Sequence, residues 1–296
     1  GGPDDNNIDL AAVTLDDFTG LSGVTISGGD GQDNIIGSEF ADVINGDDGI
    51  DIIDGLLGSD TITGNGNDEI ILNGSAFSVS YIFTGSMEGS IQIQSFSSSR
   101  VIIFAGIQTI HDNLMNVGSR EFEFPDTDDV ISIADDRDDL NGLTLISRAA
   151  GTDVFFTSPI DFLVDAGAGS DDITLGLVDK SFVFDAFDFI VRAGDGNDVI
   201  DAIALNQGVT FIGGKGNDTI IGSSADDRVF WTDGDGSDSV DGMDGEDNFE
   251  ISTSELKDQI HIGASGNRFF VNRQNLTPVV LDIGTVEVLV LDTIDG

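Results

Sequence analysis

Residues 28–63 read GGDGQDNII, GSEFADVIN, GDDGIDIID and GLLGSDTIT in succession, and a shortened GNGNDEII follows from Gly64. Aspartate recurs every nine residues at Asp33, Asp42, Asp51 and Asp60, and Asp68 comes eight later. Two residues after each stands an isoleucine: Ile35, Ile44, Ile53, Ile62 and Ile70. A fixed short period in a glycine-rich chain is the mark of a solenoid. A flexible linker has no reason to hold isoleucine at one phase of that period. Glycine permits the positive φ and close backbone approach of a tight turn. The three residues after each aspartate suffice for a minimal strand whose central side chain points inward.

The pattern returns further on. GGKGNDTII starts at Gly213, GSSADDRVF at Gly222, DGDGSDSVD at Asp233 and GMDGEDNFE at Gly242. Two isolated rungs, AGAGSDDIT from Ala166 and AGDGNDVID from Ala193, precede this second block.

These rungs resemble the RTX, or haemolysin-type, calcium-binding repeat G-G-x-G-x-D-x-U-x, with U a large apolar residue. The first rung matches at every fixed position. The resemblance implies an all-β parallel β-roll, or β-helix solenoid, with turns alternating on opposite sides and several Ca²⁺ ions as cofactors. Each ion would bridge turns two rungs apart, pairing Asp33 with Asp51, Asp42 with Asp60, Asp51 with Asp68, Asp218 with Asp238, and Asp227 with Asp247. In this scheme Asp33 begins the first stack. The metal-binding residues it implies are Gly28, Asp30, Gly31, Asp33, Asp42, Gly46, Asp48, Gly49, Asp51, Asp60 and Asp68 in the first block. In the rest of the chain they are Asp171, Asp198, Gly213, Gly216, Asp218, Asp227, Asp235, Asp238, Asp244 and Asp247. Ca²⁺ is a hard ion that takes six to eight oxygens, which carboxylates and turn carbonyls can supply.

Some rungs depart from the pattern. Phe40 and Ala225 replace the third glycine, which predicts weak or incomplete sites in those turns. Ser38, Asp47, Leu56, Ser223 and Met243 replace the second. Eleven residues separate Asp227 from Asp238, which predicts a bulge or register change near Trp231 and Thr232.

Composition agrees with a metal-stapled fold. The 296 residues carry 55 Asp and Glu against 11 Lys and Arg, a net charge of −44. So acidic a chain repels nucleic acid and anionic membranes and needs a cationic neutraliser. Its Val, Ile, Leu and Phe content is too high for disorder. There is no cysteine, so disulfides, zinc–thiolate sites and Cys nucleophiles are excluded, and bound metal is the available staple. Ordering a nine-residue rung costs more than burying its one isoleucine returns. Folding and metal binding are therefore expected to be one equilibrium. Extracellular calcium modules bind at about 10⁻⁴–10⁻³ M, which would leave the chain unfolded before export. No signal peptide or membrane-length apolar run is read, and the ends suggest a piece or processed product of something longer.

Between the blocks, apolar alternation predicts strands at 77–83, 91–94, 101–104, 130–133, 143–146, 154–156 and 162–164. Phe182, Phe184, Phe187 and Phe189 read as core stacking. The intervals between Asp171, Asp198, Asp218 and Asp238 suggest wider rungs. Strands at 269–271, 279–281 and 286–291 are expected to cap the solenoid or pair with another chain. A division into an N-terminal block, 1–115, and a wider-rung solenoid, 116–296, follows.

Catalytic signatures are not found. His111 and His261 form no H-E-x-x-H, and no G-x-S-x-G occurs. Asn73, Asn217 and Asn275 lie in glycan-acceptor triplets. Thr61 and Thr63 lack matching pairs on neighbouring rungs, which disfavours an ice-binding array. The expected function is a secreted, non-enzymatic calcium-binding structural protein of the cell surface or matrix: an S-layer unit, fibre or adhesin stalk. Copies of itself or other surface components are its expected partners. The alternative is the calcium-binding part of an exported enzyme or toxin with its catalytic domain outside this chain.

Overall fold

The computed structural model describes residues 1–138, 141–182, 188–253, 259–274 and 278–293. Among them lie 26 strands and no helix, so the chain is all-β. Phe184, Phe187, Asn275 and the last three residues lie outside the described residues. Two compact units emerge, 1–123 with 141–159, and 124–140 with 160–296. This division differs from a cut after residue 115 for a reason of pairing. Ser119–Glu123 runs parallel to Ser78–Gly85, and Asp153–Thr157, half of a hairpin with Leu143–Arg148, runs parallel to Ser99–Asp112.

In the first unit each coil contributes two short parallel strands. One column stacks Ile26, Ile44, Ile62 and Phe104 in register, the other Ile35, Ile53, Ile70, Ile110 and Val154. All of these side chains are buried, most of them completely. The three-residue strand Asn34–Ile36 shows the logic, because its central side chain alone is buried. Stacking identical positions is what turns a single isoleucine per rung into a continuous core. Residues 78–94 depart from the coil as Ser78–Gly85 and Glu88–Gln94, which form an antiparallel meander with Ser99–Asp112, the strand that returns to the coil. Beneath it lies a polar pin: Asp112 Oδ2 accepts from Tyr81 Oη at 2.6 Å and from Arg120 Nε at 2.8 Å. All three side chains are fully buried.

The second unit repeats the plan with longer coils. Ile131, Ile173, Ile200, Ile220, Val240 and Ile283 form one column. Val164, Val191, Phe211, Val229, Phe249 and Leu289 form the other. The extra residues near Trp231 do not bulge the roll. They lengthen the strand Arg228–Thr232, which stays in register with Asn248–Thr253 through Trp231–Ile251 and Thr232–Ser252. Trp231 packs into the core and donates its indole N–H to the Gly236 carbonyl. At the C-terminal end Val279–Gly284 and Val288–Thr293 form the last coil. An antiparallel hairpin, Ile260–Ser265 and Arg268–Arg273, is added to the first of them.

Candidate metal centre

Two kinds of turn connect the strands. In the commoner kind the second and third fixed positions have positive φ, as at Gly29 (102°) and Gly31 (118°). Asp47, Leu56 and Met243 keep that left-handed backbone at the second position without glycine, at φ 70°, 61° and 73°. The strain this costs an L-residue is of order 1–2 kcal/mol. The third position leaves no such choice. A Cβ on Gly49 would lie 1.6 Å from the Gly31 carbonyl oxygen, and one on Gly216 would lie 1.3 Å from that of Gly196. Stacked turns touch backbone to backbone there.

The first glycine of a rung is fixed by the aspartate five residues later. A Cβ on Gly28 would stand 2.4 Å from Asp33 Oδ2; on Gly46, 2.5 Å from Asp51 Oδ2; on Gly213, 2.5 Å from Asp218 Oδ2. Each aspartate thus folds back over its own turn, buried, with its two oxygens put to different uses.

The Oδ1 atoms form ladders. Asp33 N–H donates to Asp51 Oδ1 at 2.8 Å and Asp51 N–H to Asp68 Oδ1 at 2.9 Å. Asp42 N–H donates to Asp60 Oδ1 at 3.0 Å. In the second unit the donors Asp129, Asp171, Asp198 and Asp218 reach Asp171, Asp198, Asp218 and Asp238 in turn. Val209, Asp227 and Asp247 donate to Asp227, Asp247 and Glu287. Every aspartate pair expected from the resemblance is therefore in direct contact.

Among the described residues, the Oδ2 atoms of Asp33, Asp51, Asp60, Asp171, Asp198, Asp218 and Asp247 are buried without a hydrogen-bond partner. A buried carboxylate oxygen left unmatched is costly, and a bound cation is a usual remedy. Burial pushes Asp60, Asp171, Asp218, Asp238 and Asp247 up to about 7, and neighbouring carboxylates add to the rise. Asp51, Asp68 and Asp198 are raised for the same first reason. Among the described residues no three His, Asp or Glu side chains gather at one point. The donor set is instead one carboxylate per turn beside stacked carbonyls, an all-oxygen set that fits Ca²⁺.

The second kind of turn is closed by serine. Ser38 donates from both its backbone N–H and its hydroxyl to Asp42, and Ser223 does the same to Asp227. These are the turns in which Phe40 and Ala225 replace glycine, and here neither carboxylate has an unmatched oxygen. Asp227 is correspondingly raised less, to about 6, by burial. Asp68 Oδ2 is likewise met by the Asn65 N–H.

Other residues expected at the metal fall outside the carboxylate columns. The side chains of Asp30, Asp48 and Asp244 are exposed, and Asp48 joins the ladder only through its carbonyl, which accepts from Gly31 N–H at 2.9 Å. Asp235 Oδ2 accepts from Thr232 N–H and Oγ1, closing its own turn. His111 lies half-exposed on a strand, 3.3 Å from Glu69 and stacked on Phe155.

The structure also shows rungs that the sequence hides. Residues 1–9, GGPDDNNID, stack on 28–36, so Asp33 does not begin its stack; Asn6 holds the aspartate slot and donates its N–H and its amide to Asp33 Oδ1. Val24 and Val209 hold the same slot above Asp42 and Asp227. Residues 124–132, FPDTDDVIS, stack on 166–174 and put Asp129, 3% exposed, beside Asp171 in the column that runs on to Asp238. The one signal for it was D-D-V-I-S, an aspartate two residues before an isoleucine.

The profile described as RTX calcium-binding nonapeptide repeat (4 copies) matches residues 27–62, 45–76 and 210–230. The two compact units thus both carry RTX repeats, and RTX repeats bind Ca²⁺. No curated protein matches the chain in sequence. Among solved structures, extracellular lipase LipA from Serratia marcescens is similar at a TM-score of 0.28 and 15% identity. The likeness covers 90% of this chain and 38% of the lipase chain, so this chain spans well under half of that protein's length.

Proposed function

Starting from a chain that carries RTX calcium-binding repeats, we propose that it is a calcium-folded structural module of a secreted, cell-surface or matrix protein, without an enzymatic site of its own. The observation that carries this reading is the set of aspartate columns, which recur in both compact units and hold seven buried, unmatched carboxylate oxygens. When bound, Ca²⁺ would supply the positive charge that these carboxylate oxygens lack. The chain does the rest. Its first glycines make room for the carboxylates, its third glycines let turns touch, and its Oδ1 ladders aim each Oδ2 away from solvent. Turns with unmatched oxygens, around Asp33–Asp51, Asp60, Asp171–Asp198–Asp218 and Asp247, are the sites assigned to the metal. Turns closed by Ser38 and Ser223 are assigned a metal-independent role as spacers.

Ion-coupled folding suits export of an unfolded chain into a medium with about millimolar calcium. Far-UV circular dichroism in chelator and after calcium addition tests the reading. The expected result is a coil signal that becomes β with calcium and responds far less to Mg²⁺, which requires a tighter octahedral shell. Full β structure in excess chelator overturns the coupling. A calcium-loaded species that stays monomeric at high concentration, in a longer chain found to carry a catalytic domain, favours the exported-enzyme reading.

A further inference from the structure

Arg100 is 9% exposed, and among the described residues neither a hydrogen bond nor an ion pair holds its guanidinium. In a chain with 55 acids, a buried cation that no carboxylate contacts directly among those residues calls for an explanation. It lies one coil beyond the turn that ends at Asp60: Val101 N–H donates to Ser59 Oγ at 3.1 Å, and Ile103 N–H to the Asp60 carbonyl at 2.8 Å. There it borders two cavities at once. An open cleft of about 260 Å³ has Leu15, Leu57, Ser59 and Ser99 on its walls, and a smaller one of about 70 Å³ adds Asn73 and Ser95. Leu57, Ser98 and Arg100 are common to both.

The geometry points to a binding site for a small hydroxylated monocarboxylate, anchored by Arg100. A planar guanidinium presents parallel N–H donors that match the two oxygens of a carboxylate. The serines can donate and accept, which suits neighbouring hydroxyls on the same ligand. Leu15 and Leu57 give its C–H skeleton an apolar wall. The charge of the ligand is limited by the surroundings. Asp60 and Asp54 act electrostatically on Arg100, and Glu39 lines the larger cleft with Oε2 fixed by the Leu15 N–H. A doubly charged anion or a polyanion meets net repulsion there. The larger cleft is slightly below the usual range for ligand pockets, about 300–1,000 Å³, and so suits a molecule the size of a sugar acid.

Saturation-transfer NMR and calorimetric titration of the calcium-loaded chain with gluconate, glucose and sulfate test this. Gluconate is expected to bind with a Kd of about 1 mM, and glucose and sulfate at least about tenfold more weakly. Arg100→Gln, with its circular dichroism unchanged, is expected to lose at least about tenfold in gluconate affinity. Leu57→Trp changes a half-exposed residue and fills the cleft, and it is expected to abolish binding whether or not Arg100→Gln folds. No gluconate binding up to about 20 mM overturns the proposal, as does sulfate binding tighter than gluconate. Unchanged affinity in folded Arg100→Gln or in Leu57→Trp overturns it as well.

Discussion

At the scale of the residue, the two oxygens of each ladder aspartate separate structural from metal-directed duty. Oδ1 is occupied in both kinds of turn, while Oδ2 is satisfied where serine closes the turn and unmatched at seven aspartates of the glycine turns, Asp68 being met instead by the Asn65 N–H. Asp218→Asn keeps the ladder acceptor but removes the charge, whereas Asp227→Asn alters a carboxylate already held by Ser223. The first change is expected to remove about one bound calcium and weaken apparent affinity about tenfold or more. The second should leave the calcium count unchanged. Equilibrium dialysis with radioactive calcium reads both, and equal losses would refute the assignment of duties. Protons report the same chemistry in the metal-free chain. Asp60, Asp171, Asp218, Asp238 and Asp247 titrate at about 7 when folded, against an ordinary 3.8. Between those values the folded state binds more protons than the unfolded one, so metal-free stability is greatest at the acid end and falls as pH rises through the window. In chelator, where the chain is expected to be coil at about pH 7.5, the β signal in far-UV circular dichroism should therefore grow as pH falls to about 5. In calcium that trend should weaken or reverse, because the ion displaces those protons. A metal-free β signal that instead falls between about pH 7.5 and about pH 5 contradicts the burial of uncompensated carboxylates.

At the scale of the turn and its strand, glycines differ by what surrounds them. Gly216 faces the Gly196 carbonyl so closely that a methyl group must push two coils apart, and its φ is 145°. Gly266, at φ 64°, has open space around it. Gly266→Ala should cost only the left-handed penalty of about 1–2 kcal/mol. Gly216→Ala should cost well over about 4 kcal/mol, in the exceptional range of single substitutions. Thermal unfolding in calcium would compare them, and similar losses would mean that adjacent turns do not touch. The same contacts explain what was legible in the sequence. Wherever the first glycine, third glycine, aspartate and apolar residue all persist, the coil could be read directly, as at 28–36 and 213–221. Rungs 1–9 and 124–132 escaped because they lack the full glycine set and, in the first case, the charge: Asn6 holds the aspartate slot and donates to Asp33. The serine-closed turns were visible as departures, and a weak metal site was the expectation there. That serine itself closes the carboxylate depends on a local geometry that spacing does not encode. Strand positions between the blocks followed from alternation, but the partners of 119–123 and 153–157 did not, since pairing between distant strands leaves no local trace.

For the whole chain, the dominant quantity is the net charge of −44, which opposes both compaction and association. Two remedies are physically distinct. Monovalent salt screens, shortening the Debye length from about 8 Å at physiological strength to about 3 Å at 1 M, but it supplies no coordination. Calcium supplies both, within turns and between molecules. Among the described residues the strand Val288–Thr293 pairs only with Asn248–Thr253, and Val288, Val290 and Leu291 are each more than a third exposed. Such an edge is a template for pairing with a second copy, and a heterologous contact of that kind need not close into a point group. Calcium-dependent self-association is the expected consequence, with sedimentation velocity as its measure. In chelator the chain should sediment as an expanded monomer at both about 0.15 M and about 1 M NaCl. At about 2 mM calcium it should become compact and then form larger species as concentration rises. If high salt alone produced the same species, screening would be sufficient and bridging would not be needed. If calcium produced a compact monomer at every concentration, the ladders would serve folding alone, and the surface-assembly part of the proposed function would fail while calcium-coupled folding stood.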